Sequence, residues 1–226
     1  RLAALVVLAG MVGTPRLHAS PLPGRDIPAP QLAAVTTDTA VFAGGCFWGI
    51  QAVFQHLKGV TSAVSGYAGG ETVGPSYEEV SSGTTGHAES VRVVYDPARI
   101  SYAQLLQVFF TVAHDPTQLN YQGPDHGTQY RSVVFYHDNA QQHAAEAYVA
   151  ELARTKVYPR PIVTQIVPLN AFYPAEAYHQ DYALKHPNQP YIVYNDLPKV
   201  ENLKRMFPAL YRATPVTVAA AAKLGN

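Results

Sequence analysis

The chain has 226 residues, enough for one sizeable core, with 47% apolar and only 14% charged residues. Sixteen basic and sixteen acidic side chains cancel, so the basic excess that nucleic-acid or anionic-membrane binding requires is missing. One cysteine stands among fifteen tyrosines, and a lone thiol excludes a disulfide framework within the chain.

The amino end opens on an eleven-residue apolar run, Leu2 to Val12. A membrane span needs about 20 residues, so the run reads as the h-region of a secretory signal over residues 1–19. Residues 20–37 read as a Pro-rich linker. This predicts export to a periplasm or out of the cell; without a functioning signal the location becomes the cytoplasm. An exported chain with an odd cysteine carries either an intermolecular link or a free reactive thiol.

A short apolar strand then ends in two glycines, and Ile50, Val53, Phe54 and Leu57 follow at the spacing of an amphipathic helix. Lys58 and Gly59 are expected to close it. Cys46 is thereby predicted in the first turn of that helix, where free N–H groups and the helix dipole would lower its pKa. Val60–Tyr67 reads as a strand, and residues 68–88 as an unpatterned glycine-rich loop. Residues 89–96 alternate like a strand, with Val91, Val93 and Tyr95 on one face. Ser101 and Gln104 form a capping box for a helix reaching Ala113. A second unpatterned stretch, 114–129, precedes a strand at 130–137, a helix capped by Asp138, and a strand at 161–169. Pro174 is expected to start a short helix. The tail from Val216 reads as loosely held.

The pattern predicts an α/β two-layer sandwich: a mixed sheet with helices packed on it, a βαβ core, and long irregular loops. The catalytic domain is expected at 38–196, with residues 197–226 as an extension whose end is disordered. Unpatterned loops this long are commonly functional. No histidine or cysteine spacing marks a metal site, and no bound cofactor is expected.

The residues alone leave Cys46 open to two readings, a buried apolar filler or a nucleophile. Four blocks decide between them: GGCFWG at 44–49, YEEVSSGTTGHAESV at 77–91, QGPDHGTQYRS at 122–132 and YPAEAYHQDY at 173–182. Together they resemble the A-type peptide methionine sulfoxide reductases, from about Asp38 to about Asp196. The resemblance implies Cys46 as nucleophile and Glu89 as proton donor. It implies Phe47 and Trp48 as the wall for the sulfoxide methyl group, with Tyr77, Asp125 and Tyr130 completing the pocket. It also implies reduction of protein-bound and free methionine S-sulfoxide, with oxidised proteins and peptides as partners; a monomer is expected.

Many members of that family carry further cysteines that resolve the sulfenic acid. Here one such position is Ser81 and the tail has none. An external thiol is therefore expected, from a small molecule or from a thioredoxin- or glutaredoxin-like protein. Two other readings remain: a cysteine hydrolase that pairs Cys46 with His87 or His179, and a non-catalytic binder of oxidised methionine.

Overall fold

The computed structural model of the protein describes residues 36–219. The expected signal, most of the linker and the last seven residues lie outside them.

Strand β1, Asp38–Gly44, leads through Gly45 and Cys46 into helix α1, Phe47–Gln55. The chain returns as β2, Val60–Ala68. Helix α2, Tyr77–Ser81, then interrupts the stretch expected to be unpatterned. Its signal is Ser76, whose side chain accepts from Glu79 N while Glu79 reaches back to Ser76 N, a capping box hidden among glycines. Strand β3, Ala88–Tyr95, precedes helix α3, Tyr102–Val108, which has the expected box of Ser101 and Gln104. A π-helical turn, Phe109–Ala113, extends α3. The second loop holds the minute hairpin β4, Tyr121–Gln122, and β5, Asp125–His126, followed by a 3₁₀ turn at Thr128–Tyr130. Strand β6, Ser132–Tyr136, feeds helix α4, Asn139–Thr155, where Asp138 accepts from Gln141 N as expected. Strands β7, Gln165–Pro168, and β8, Phe172–Pro174, follow.

The fold class is as expected: an α/β arrangement with helices on a mixed sheet ordered β7-β6-β1-β3-β2-β8. Among the described residues only β6 and β7 pair in parallel. The β1–α1–β2 unit is split, because β3 lies between its strands and pairs antiparallel with both. On the helix-bearing face Phe42 stacks between Phe54, at 5.2 Å, and Phe109, at 4.8 Å. The smaller cluster on the opposite face joins Val41, Ala43, Ala68, Ala88, Val133 and Phe135.

Three local expectations are corrected. Pro174 ends β8, at the sheet's edge, and starts no helix; the helical turns come later, as a 3₁₀ turn at Ala177–His179 and helix α5, Tyr182–Lys185. A proline tolerates such an edge because no neighbouring strand needs its missing N–H. Second, α1 ends at Gln55, four residues before Gly59, and Gly59 instead shapes the turn into β2 with φ +90°. Third, Asp196 is no structural boundary. A π-helical turn, Ile192–Asp196, continues directly into helix α6, Leu197–Met206, which packs on α1 and buries Val200 and Leu203. The chain stays attached beyond α6: Val216 N donates to Gln55 O, and Val218 N to Asp181.

Helix α1 is consequently buried on every side. Its stripe residues Ile50, Val53, Phe54 and Leu57 are inaccessible, and so are Gln51 and Gln55. Buried amides require partners. Gln51 Nε2 donates to Ala63 O and to Gln180 Oε1, and Gln55 Nε2 donates to Asp181 Oδ1. Gln180 in turn donates to the carbonyls of Ser65 and Ala175. This network fixes α1 between the sheet and the carboxyl-terminal helices.

Candidate active site

Cys46 stands at the exit of β1. Gly45 has φ +100°, and a Cβ there would fall 2.5 Å from Gln122 Cγ; only glycine fits both the conformation and the space. Cys46 is the N-cap residue of α1 and makes no capping bond with its side chain. It thus sits just ahead of the helix and not inside the expected first turn. Cys46 lines a cavity of about 70 Å³ shared with Gln122, Gly123, Pro124, Asp125, Tyr191, Asn195 and Lys199. A larger cavity of about 410 Å³ lies against the end of α4, but no thiol or carboxylate lines it.

Glu89 reaches the same helix terminus from β3. Its Oε2 accepts from Phe47 N at 2.9 Å, and the residue is 3% exposed. Burial pushes its pKa up to about 8, the Phe47 N–H pulls it down, and Asp125 and Asp196 push it further up. Near neutrality the carboxyl is mainly protonated. With Oε2 engaged as acceptor, Oε1 is left to carry and donate the proton.

The thiol departs from expectation. Burial, followed by the charges of Glu89 and Asp196, pushes Cys46 well above the ordinary thiol value. The helix terminus acts in the expected direction through Trp48 N, and Lys199 adds to it, but desolvation of the sulfur outweighs both.

The two rings after Cys46 have different settings. Phe47 is buried in the core, 5.1 Å from the His179 ring and 5.9 Å from Tyr67. Trp48 is half-buried, stacked on Tyr182 at 3.8 Å, with the Tyr191 ring edge-on at 6.0 Å. Its Nε1 donates to His179 Nδ1.

Tyr77 begins α2, anchored by its N–H on Glu176 Oε1, with its ring 4.4 Å from His179. Tyr130 closes the 3₁₀ turn. Both phenols are pushed up, mainly by burial and then by Glu89, Cys46 and Asp125 among their neighbours. They are neutral donors across the physiological range. Asp125 is engaged by the Tyr191 hydroxyl, which donates to its Oδ2. The seven residues singled out in the sequence therefore gather at one end of α1. Only Cys46 and Asp125 of them line the small cavity itself.

Of the bases a hydrolase would need, His87 is bonded at both ring nitrogens, whereas His179 is bonded at Nδ1 and its buried Nε2 has no hydrogen-bond partner. His87 Nδ1 accepts from Gly70 N and Nε2 meets Thr72 O. His179 accepts from Trp48, and its Nε2 lies 4.0 Å from Glu176.

Sequence reasoning missed Tyr191, Asn195 and Lys199, which close the cavity from the carboxyl-terminal side, and Asp196, which lies behind Lys199. Asp196 is fully buried, and its Oδ1 lies 3.3 Å from Lys199 Nζ. The available signal was the Asp-x-x-Lys spacing of a helical ion pair.

Comparison with known proteins gives a consistent result. The family model for peptide methionine sulfoxide reductase matches residues 38–210. The chain is 59% identical over 189 residues to the peptide methionine sulfoxide reductase MsrA 2 of Mesorhizobium japonicum, covering 84% of this chain and 97% of that one. It is 50% identical over 175 residues to MsrA of Thermus thermophilus, covering 77% and 98%. Among solved structures, reduced Mxr1 of Saccharomyces cerevisiae matches with TM-score 0.62 at 35% identity, over 68% of this chain and 87% of that one. Methionine sulfoxide reductase A of Corynebacterium diphtheriae matches with TM-score 0.60 at 38% identity, over 68% and 76%.

Proposed function

The chain belongs to the peptide methionine sulfoxide reductase family, A type, and from that premise we propose how its own residues carry the reaction. The protein reduces methionine sulfoxide and so repairs oxidised proteins. One observation carries the assignment of roles: a buried carboxyl with a pKa near 8, bonded to the first N–H of the helix that the lone cysteine caps.

The sulfoxide sulfur is electron-poor and its oxygen is electron-rich. Cys46, as thiolate, attacks the sulfur, and negative charge grows on the oxygen. Protonated Glu89 donates to that oxygen, with Tyr77 and Tyr130 as further neutral donors. Donors aimed at growing charge stabilise the transition state more than the ground state. The S–O bond of the substrate breaks, methionine leaves, and the oxygen ends on Cys46 as a sulfenic acid. Asp125 acts through Tyr191 to orient the pocket. Trp48 presents its half-buried ring to the methyl side, and Phe47 backs it from the core.

Cys46 is the chain's single cysteine, so the sulfenic acid meets a thiol from outside. That thiol forms a mixed disulfide and releases water, and a second thiol restores Cys46. A small thiol or a redox protein of the thioredoxin or glutaredoxin kind fits this role. The apolar run Leu2 to Val12 supports export; cell fractionation of the tagged full chain checks it, and retention of the uncleaved chain in the cytosol refutes it.

The test of function is reduction of separated methionine sulfoxide epimers with dithiothreitol as the thiol. Turnover of the S epimer alone, abolished in Cys46→Ser, is the expected result. Equal turnover of both epimers, or survival of activity in Cys46→Ser, overturns the assignment.

A further inference from the structure

We propose that Lys199 is the cation that favours ionisation of Cys46, and that buried Asp196 positions it. The inference rests on the reading of Cys46 as nucleophile.

Lys199 lines the cavity together with Cys46, and among the lining residues it alone carries positive charge. Asp196 lies behind it, fully buried and absent from the cavity wall. Its Oδ1 faces Lys199 Nζ at 3.3 Å, while its Oδ2 is buried with no hydrogen-bond partner. Lys199 thus lines the cavity while its ammonium is held by a carboxylate that does not. The pair rests directly on the first turn of α1. A Cβ on Gly49, three residues after Cys46, would fall 2.1 Å from Asp196 Oδ1 and 2.9 Å from Lys199 Nζ. That contact fixes the pair relative to the sulfur as firmly as the helix itself.

A cation is needed here because the other charges oppose ionisation. Glu89 on β3 and Asp196 at the end of the π-helical turn both disfavour the thiolate. Asp125 from β5, Tyr191, Tyr77 and Tyr130 complete the surroundings. Loss of one proton from the Glu89–Cys46 pair, to water, leaves a single negative charge that can reside on the carboxylate or on the sulfur. Only the second form has both a nucleophile and a proton donor. A positive charge on the cavity side selects that form. Asp196 acts on the sulfur in the opposite direction and outweighs Lys199 there; its part is to hold the ammonium at the cavity wall.

The readout is alkylation of Cys46 by iodoacetamide as a function of pH, which reports the thiolate and not turnover. Lys199→Met keeps the length of the stem and removes the charge. It is expected to slow alkylation at pH 8 by roughly tenfold. Lys199→Arg should restore most of the rate, and Asp196→Asn should raise it above wild type. The opposite signs of the last variant and of Lys199→Met separate electrostatics from a loosened fold. An unchanged profile in Lys199→Met, no rescue by arginine, or a slower Asp196→Asn overturns the proposal. None of these results touches the reductase reading, which stands or falls with the epimer assay and Cys46→Ser.

Discussion

Replacement of Glu89 by glutamine tests the state of the buried acid twice, once through stability and once through catalysis. Glu89 titrates near pH 8 in the folded chain against an ordinary value of 4.5. Between those values the folded protein holds one proton that the unfolded chain has released. Stability therefore falls as pH rises, by about 1.4 kcal/mol per pH unit. The contribution is fully present below pH 4.5 and is lost by the time Glu89 ionises. Between pH 5 and pH 8 the loss sums to about 3.5 kcal/mol. Glu89→Gln keeps the shape and an acceptor for Phe47 N but has no proton to lose. Other titrating groups are common to both proteins and cancel in the difference. Urea unfolding of the two proteins at pH 5, 6, 7 and 8 should thus show the variant gaining on wild type at each step. Turnover should drop by roughly 10² to 10⁴ in the variant, the range for loss of a proton donor, and wild-type turnover should decline above pH 8. Parallel stability curves would mean that Glu89 is ionised in the fold, and the proton-donor argument would be refuted.

Other expectations follow from single contacts. One turnover of methionine sulfoxide without added thiol should leave Cys46 as a sulfenic acid, visible by mass as one dimedone adduct per chain; an adduct-free oxidised protein would contradict the absence of a resolving partner. Gly49→Ala drives a methyl group into the Asp196 carboxylate and should cost about 1–3 kcal/mol in urea unfolding. Gln180→Ala strips buried partners from Gln51, from Ser65 N and from the carbonyls of Ser65 and Ala175. A loss of about 3 kcal/mol or more is expected, and a change under 1 kcal/mol would show that the network contributes little.

Local rules carried the fold as far as they reach. Alternation marked β3, and capping residues marked α3 and α4, because each signal lies within a few residues of the element it forms. Helix α2 obeys the same rule, but its capping box sits among glycines that suggest loop. Strand β8 is three residues long, too short for any period, and Pro174 is compatible with a helix start as well as a strand end. Strand order is a different matter. The insertion of β3 between β1 and β2 depends on pairing between distant segments, and no local spacing encodes that.

The active site divides along the same line. Cys46 through Trp48 are contiguous, and the GHAE block puts Glu89 on a recognisable strand, so their assembly needs only the β1–α1 turn and the β3 pairing. Lys199 comes to the cavity of Cys46, with Asp196 behind it, because α6 folds back over α1. That return is specified by burial of Val200 and Leu203 and by a glycine whose missing side chain admits a carboxylate. The thiol's pKa shows why this matters. Sequence placed Cys46 at a helix terminus and so suggested a lowered value; the fold buries the same terminus completely, and desolvation reverses the sign. A helix dipole of about half a charge is not enough to ionise a sulfur shielded from water beside two carboxyl groups. A full charge at the cavity wall works against that cost, and the fold brings Lys199 there from a segment that the motif blocks do not cover.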